Sequence, residues 1–99
     1  VGKRIVLTFQ AIEDLREIHR YVADRNANAA HRLRRRLLTE VKLMATFARA
    51  GRVVPEFLDP TLRELVRSPY RIIYRIHENR PSIEILRSWH AARGTPHLL

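Results

Sequence analysis

With 99 residues, 45% of them hydrophobic, the chain is sized for one domain with a two-layer core, which predicts a single unit over residues 1–99. Its net charge of +9, carried by 17 Arg and 2 Lys in both halves of the sequence, points to a polyanionic or acidic partner and not to a polybasic tail. The lack of cysteine excludes disulfides and thiolate chemistry, and no apolar stretch approaches the roughly 20 residues needed to span a bilayer; with no leader pattern at the start, a cytoplasmic protein away from membranes is expected.

Lys3 to Phe9 reads as a strand, because Ile5, Val6, Leu7 and Phe9 form an apolar run too brief for a helix. Ile12, Leu15, Ile18 and Val22 then recur at helical spacing, which predicts a helix from about Gln10 to Arg25 with Glu13 and Asp14 in its first turn. Asn26-Ala27-Asn28 interrupts it, and Asn28 is a candidate N-cap for a second helix to about Phe47 whose stripe is Ala30, Leu33, Leu37, Val41, Met44 and Ala48. So short a connection makes an antiparallel helical hairpin that needs a partner layer. Gly51 ends that unit, and Pro55, Asp59 and Pro60 mark a loop with a short extended piece at Arg52 to Val54.

Three strand candidates follow, Leu62 to Arg67, Pro69 to Ile76 and Ser82 to Trp89, the last two joined by the turn chemistry of Glu78-Asn79-Arg80-Pro81. Beyond His90 the periodicity stops. The predicted class is therefore α+β: an N-terminal strand, an antiparallel helical hairpin, then an antiparallel meander of three to four strands, as a two-layer α/β sandwich. Within the meander Tyr70, Ile72, Tyr74 and Ile76 alternate with Arg71 and Arg75, so one face buries the first set and the other carries the arginines.

No histidine pattern among His19, His31, His77, His90 and His97 matches a metal site, no serine sits in a nucleophile elbow, and three glycines cannot build a phosphate loop. No metal and no cofactor are expected. Arg63 and Arg67 are separated by an even number of positions, as are Arg71 and Arg75, so each pair projects on one face of its strand. Side by side, the pairs repel unless an anion or an acid lies among them, which makes an anion-binding groove one reading and a solvated face balanced by Glu64, Glu78 and Glu84 the other. Tyr70, Tyr74 and Trp89 are able to stack bases, although alternate strand positions favour the core. His90, next to Trp89 and near Arg93, has the chemistry of a general acid or base and equally that of a hydrogen-bonded strand-end histidine.

In order and spacing, Ala11-x-x-Asp14-Leu15-x-x-Ile18-x-x-Tyr21-Val22-Ala23, Asn26-x-x-Ala29-Ala30, Gly51-Arg52 with Pro55-Glu56, Arg63-Glu64-Leu65, Tyr70-Arg71-Ile72-Ile73-Tyr74-Arg75, and Ile85-Leu86-Arg87 followed by His90 resemble the ParE/RelE superfamily of bacterial type II toxins over nearly the full length. The resemblance implies the same fold, with the first strand beside the last. It further implies a growth-inhibiting toxin, of the kind tied to plasmid stabilisation, neutralised in a hetero-oligomer by a cognate antitoxin.

The superfamily divides into RelE-like members, which cleave messenger RNA on the ribosome, and ParE-like members, which inhibit DNA gyrase without known catalytic residues of their own. On the nuclease pattern Arg71 takes the place of the arginine after the strand tyrosine and Arg63 that of a lysine on the preceding strand, with His90 and Arg93 as further candidates. Leu65 stands where a second lysine belongs, the terminal basic cluster with its late tyrosine is reduced to Arg93 and His97, and Trp89-His90-Ala91 lacks a tyrosine. The resemblance therefore favours a non-enzymatic, gyrase-directed toxin, with a ribosome-dependent endonuclease as first alternative; a plain nucleic-acid-binding module, which accounts for the charge but not for the resemblance, is the second. The residues expected to meet antitoxin or target are Arg63, Arg67, Arg71, Arg75, Arg87, His90 and Arg93.

Overall fold

Two amphipathic helices pack on one face of a five-stranded mixed sheet in the computed structural model, which describes residues 3–67, 69–77 and 79–90. In chain order the elements are β1 (Arg4–Leu7), α1 (Phe9–Ala23), α2 (Ala27–Thr46), a 3-10 turn (Ala48–Ala50), β2 (Arg52–Val53), β3 (Leu62–Arg67), β4 (Tyr70–Ile76) and β5 (Ser82–His90). The sheet order is β1-β5-β4-β3-β2, with β2 to β5 an antiparallel meander and β1 added parallel to β5. The α+β class and the pairing of first and last strands are as the sequence predicts. No helix among the described residues is long and apolar enough to cross a membrane.

The helix starts differ from expectation for a local reason. Thr8, extended at φ −69° and ψ 161°, caps α1: its Oγ1 accepts from the Ala11 N–H at 3.1 Å and donates to the Leu86 carbonyl at 3.0 Å. Phe9 is thus the first helical residue and not the last of the strand, and Glu13 and Asp14 fall beyond the first turn. Asn26, not Asn28, caps α2, because Asn26 is the extended residue whose Oδ1 accepts from the Ala29 N–H at 3.0 Å.

The predicted stripe of α2 is the one it buries: Leu37, Met44 and Ala48 join Ala11, Ala45, Ile72, Tyr74, Ile76, Ile83 and Ile85 in the main core, with Leu33, Val41, Leu15, Ile5 and Leu65 packed at its margin. Val54, Leu62, Ile73 and Leu86 form a second cluster. Opposite residues of antiparallel strands share a face, so the pairings Leu62↔Arg75, Glu64↔Ile73 and Val66↔Arg71 put this cluster on the sheet face turned away from the helices. At Leu86 the ladder slips, since Ile73 pairs with Arg87 but Tyr74 with Ile85. The extra residue lets Ile85 and Leu86 serve the two different clusters.

Past Leu7 no strand among the described residues lies beside β5, and α1 takes over that edge. The Asp14 carboxylate, 5% exposed, accepts from the Ser88 N–H at 3.0 Å and from Arg87 Nε and Nη2 at 2.7 and 2.9 Å. A buried ladder donor that would otherwise be orphaned is satisfied by a side chain of the helix.

Candidate functional site

The register separates the arginines that the sequence suggested would stand together. Arg63 and Arg67 lie opposite Tyr74 and Tyr70 on the helix-side face, whereas Arg71 and Arg75 lie with Ile73 on the other. No column of four like charges forms, which corrects the expectation of one continuous basic sheet face.

Each of these side chains has an internal partner. Arg71, 8% exposed, donates Nε to Glu64 Oε2 at 2.7 Å and forks onto both oxygens of Glu56 at 2.9 Å. Glu56 first, and then Glu64, raises the pKa of the Arg71 guanidinium above its already high value against the cost of burial. Glu64 is itself 1% exposed and takes Arg52 on its other oxygen, so the expected solvated counter-charge is a buried one. Arg75 meets Thr61 at 2.9 Å and Asp59 at 3.3 Å. The hydroxyl and N–H of Thr61, with a smaller contribution from Arg75, hold the Asp59 carboxyl below its ordinary pKa.

On the helix side, Arg63 donates to the carbonyls of Pro60, Gly51 and Arg49 at 2.9, 3.2 and 3.4 Å and so ties down the loop before β3. Arg67 pairs with Glu40 of α2 at 2.9 Å. Arg87 is held by Asp14, which raises its pKa, and its guanidinium lies 4.6 Å from the Trp89 ring centroid. His90 stands edge-on to Tyr70 with ring centroids 5.5 Å apart. Tyr70, Tyr74 and Trp89 are all buried, so they serve the core and do not offer stacking faces. Arg93, His97 and Glu78 lie outside the described residues.

The three described nuclease candidates, Arg63, Arg71 and His90, therefore do not converge. Arg71 pairs across the ladder with Trp89 and His90 with Tyr70, so Arg71 and His90 project from opposite faces. Arg63 shares the His90 face but is registered on Tyr74, about 13 Å along β4 from Tyr70 at roughly 3.3 Å per residue. Among the described residues no cluster of three or more metal-ligating side chains occurs.

What the fold does leave open is a groove of about 620 Å³ between the helical hairpin and the sheet, walled by Ile12, Leu15, Ile18, Leu33, Leu37 and Val41 and floored by Ile72 and Ile85. Ile12, part of the apolar stripe of α1, is 37% exposed there. Arg16, Arg20 and Arg34 line the same groove, and on α2 the exposed Arg32, Arg35 and Arg36 continue the positive surface. One polar atom inside is unmatched: His19 Nε2 is buried without a hydrogen-bond partner, its ring 6.0 Å edge-on from that of His31. Helical periodicity identifies these apolar residues but not the gap between them, because a stripe facing a core and a stripe facing a groove look alike in sequence. The carboxylates Asp14 and Glu64 are legible only as residues of shared segments, with no signal of their burial.

A family model described as the ParE toxin of the type II toxin–antitoxin system parDE matches residues 5–94. The chain is 37% identical over 98% of its length to Y4kP, a protein of Sinorhizobium fredii named for a toxin role, covering 97% of that protein. It is 35% identical to Toxin RelE2 of Caulobacter vibrioides, over 91% of this chain and 97% of the relative. Among solved structures, the chromosomal ParDE system of P. aeruginosa superposes with a TM-score of 0.71 at 23% identity, covering 90% of this chain and 96% of that one, a likeness of fold. The toxin–antitoxin complex RelBE2 of Mycobacterium tuberculosis gives a TM-score of 0.55 at 25% identity, over 91% and 92% of the two chains.

Proposed function

We propose that this chain, which belongs to the ParE toxin family of type II toxin–antitoxin systems, arrests growth by inhibiting DNA gyrase without chemistry of its own and is neutralised by an antitoxin segment lying in the hairpin groove. The observation that carries the gyrase reading is the dispersal of the described nuclease candidates Arg63, Arg71 and His90. Arg71, the residue best matched to a transition-state stabiliser, is enclosed by Glu64 and Glu56 on the face opposite His90. A guanidinium whose donors are taken by two carboxylates is not poised for a scissile phosphate. With purified gyrase, relaxed plasmid and ATP, the protein is expected to inhibit supercoiling or trap cleaved DNA, while ribosomes programmed with a defined message stay uncut. Cleavage of the message in the ribosomal A site, with gyrase unaffected, refutes this and supports the second reading, an endoribonuclease, which the name of the Caulobacter relative favours.

The groove suits an amphipathic helix with acidic flanks: apolar walls receive one face, and Arg16, Arg20 and Arg34 receive the carboxylates. An antitoxin segment that folds on binding gains the apolar area it cannot bury alone. The salt-sensitive contribution belongs to this rim and not to Arg63, Arg71 or Arg87, whose partners are internal. Arg20→Glu with Arg34→Glu is expected to weaken binding of the small protein encoded beside the toxin gene by about 10-fold or more, since exposed pairs contribute up to about 1 kcal/mol each, and to flatten the dependence on salt. Calorimetric titration at two salt concentrations measures both. Unchanged affinity in the double variant places the partner elsewhere.

A further inference from the structure

Among the described residues one buried side-chain polar atom, His19 Nε2, is left without a hydrogen-bond partner. The buried Asp14, Glu64 and Arg71 all have theirs. Buried polar atoms are as a rule paired, so the exception calls for a reason. Packing does not give one. His19 lies on α1 one turn from Leu15 and one turn from Ala23, and all three line the groove. A leucine there would extend the apolar wall without burying an unmatched nitrogen. Nor does His31 supply the bond: its ring meets that of His19 edge-on with centroids 6.0 Å apart, a contact that a phenyl ring makes as well.

The rest of the groove says what would pair with it. Arg20 follows His19 on α1, and Arg34 lines the groove from α2. Neither makes an ion pair among the described residues, unlike Arg16, which holds Glu13 at 2.9 Å. Asp24, the one carboxylate of the lining, is exposed and pairs with neither. Two guanidiniums without a counter-charge therefore share the groove with a ring nitrogen that lacks a partner. A carboxylate answers both needs. A phosphodiester chain answers the charge but leaves the wall of Ile12, Leu15, Leu33, Leu37 and Val41 uncovered, whereas an amphipathic peptide segment covers that wall and carries the acid.

We propose that His19 is the polar recognition point of the groove: a carboxylate of the antitoxin segment accepts from its Nε2–H, with Arg20 and Arg34 as further donors. The inference rests on the antitoxin reading given above and adds the residue by which a cognate segment is told from others. In the free toxin Nε2 is shielded although the residue as a whole is only partly buried. The torsion that turns an imidazole is soft, so rotation of the ring brings the nitrogen to a group seated in the groove. A carboxylate selects the Nε2–H tautomer, whichever ring nitrogen carries the proton beforehand. A segment with an apolar side chain at that place leaves Nε2 unmatched in the complex, and this mismatch discriminates against it.

Stability and affinity are expected to move in opposite directions. Wild type, His19→Leu and His19→Gln, each freed from co-produced antitoxin, are titrated calorimetrically with the small protein encoded beside the toxin gene. His19→Leu removes the unmatched nitrogen, so its midpoint of thermal unfolding is expected to equal or exceed that of wild type. Its affinity is expected to fall about 10-fold, the scale of one charge-assisted bond. His19→Gln, whose amide still donates, is expected to stay within about 3-fold of wild type. Alanine replacement of the antitoxin's acids one at a time identifies the acceptor: one of them is expected to cost about 10-fold against wild type and less than about 2-fold against His19→Leu. Unchanged affinity in His19→Leu overturns the proposal, and so does a lowered midpoint, which makes His19 a packing residue. Absence of any acid coupled to His19 overturns it as well, since the acceptor is then not a carboxylate. Arg20→Glu with Arg34→Glu separates this from the reading beneath it. Affinity lost there but kept in His19→Leu leaves the antitoxin in the groove and removes only the role of His19; affinity kept in both places the antitoxin elsewhere, and both readings fall.

Discussion

Asp14→Ala is expected to lower the midpoint of thermal unfolding by roughly 15 to 25 °C. Removing one partner of a buried ion pair costs about 3 to 5 kcal/mol, and for a domain of this size each kcal/mol shifts the midpoint by roughly 4 to 8 °C. The pair qualifies as buried because the Asp14 and Arg87 side chains are 5% and 12% exposed. The exposed Arg16–Glu13 pair, at 65% and 39%, belongs to the class whose removal is barely measurable. Asp14 also accepts from the Ser88 N–H, so alanine orphans a backbone donor and takes the carboxylate away from a guanidinium.

Two further variants separate those contributions. Asp14→Asn keeps an acceptor for Ser88 and loses the charge, and is expected to fall between wild type and alanine. Arg87→Met added to Asp14→Ala removes the buried cation that has lost its carboxylate and should recover part of the loss. Calorimetry or far-ultraviolet dichroism reads all three. A drop of only two or three degrees in Asp14→Ala means that α1 is held to β5 by its apolar contacts alone, and that the carboxylate is incidental.

Periodicity carried most of the fold: β3 has the bounds the sequence predicts, β4 and β5 shift by one residue at an end, and the stripe of α2 is the one the core receives. The N-cap is not legible between two asparagines, because both are competent caps and only backbone geometry distinguishes Asn26 from Asn28. The separation of the arginines is hidden for a different reason. Strand alternation gives the faces within one strand, but which face of β3 matches which face of β4 depends on register, and the turn between them sets that register. With Arg67 opposite Tyr70, the two arginine pairs part company. Burial of charge was also hidden, since Glu64 lies in a strand whose even and odd positions both carry polar residues. Asp14 sits in a repeating motif of α1, yet nothing in sequence spacing points it at a strand that arrives near the end of the chain.

Gly51→Ala is expected to destabilise the fold by about 2 to 4 kcal/mol, through space and not through conformation. At φ −69° and ψ 149° any residue is at ease there. An added Cβ, however, would lie well inside contact distance of Tyr74 Oη and 2.9 Å from both the Tyr74 ring carbon Cζ and the Glu64 carbonyl oxygen. Tyr74 cannot withdraw, being fully buried with its hydroxyl donating to the Ala48 carbonyl at 2.6 Å and accepting from the Gly51 N–H at 3.2 Å; the same burial raises its pKa. Nor can the Glu64 carbonyl move without carrying the carboxylate that Arg52 and Arg71 share. Overpacking costs about 1 to 3 kcal/mol and a broken buried hydrogen bond about 1 more. Urea unfolding should show a lower midpoint at an unchanged slope. Adding Tyr74→Phe removes the hydroxyl clash but leaves the ring carbon and the Glu64 carbonyl in place and leaves the Ala48 carbonyl without its donor, so recovery is expected to be partial at most. Full recovery, or a Gly51→Ala variant as stable as wild type, would falsify the claim that the β3 backbone and Tyr74 together exclude a side chain at this position.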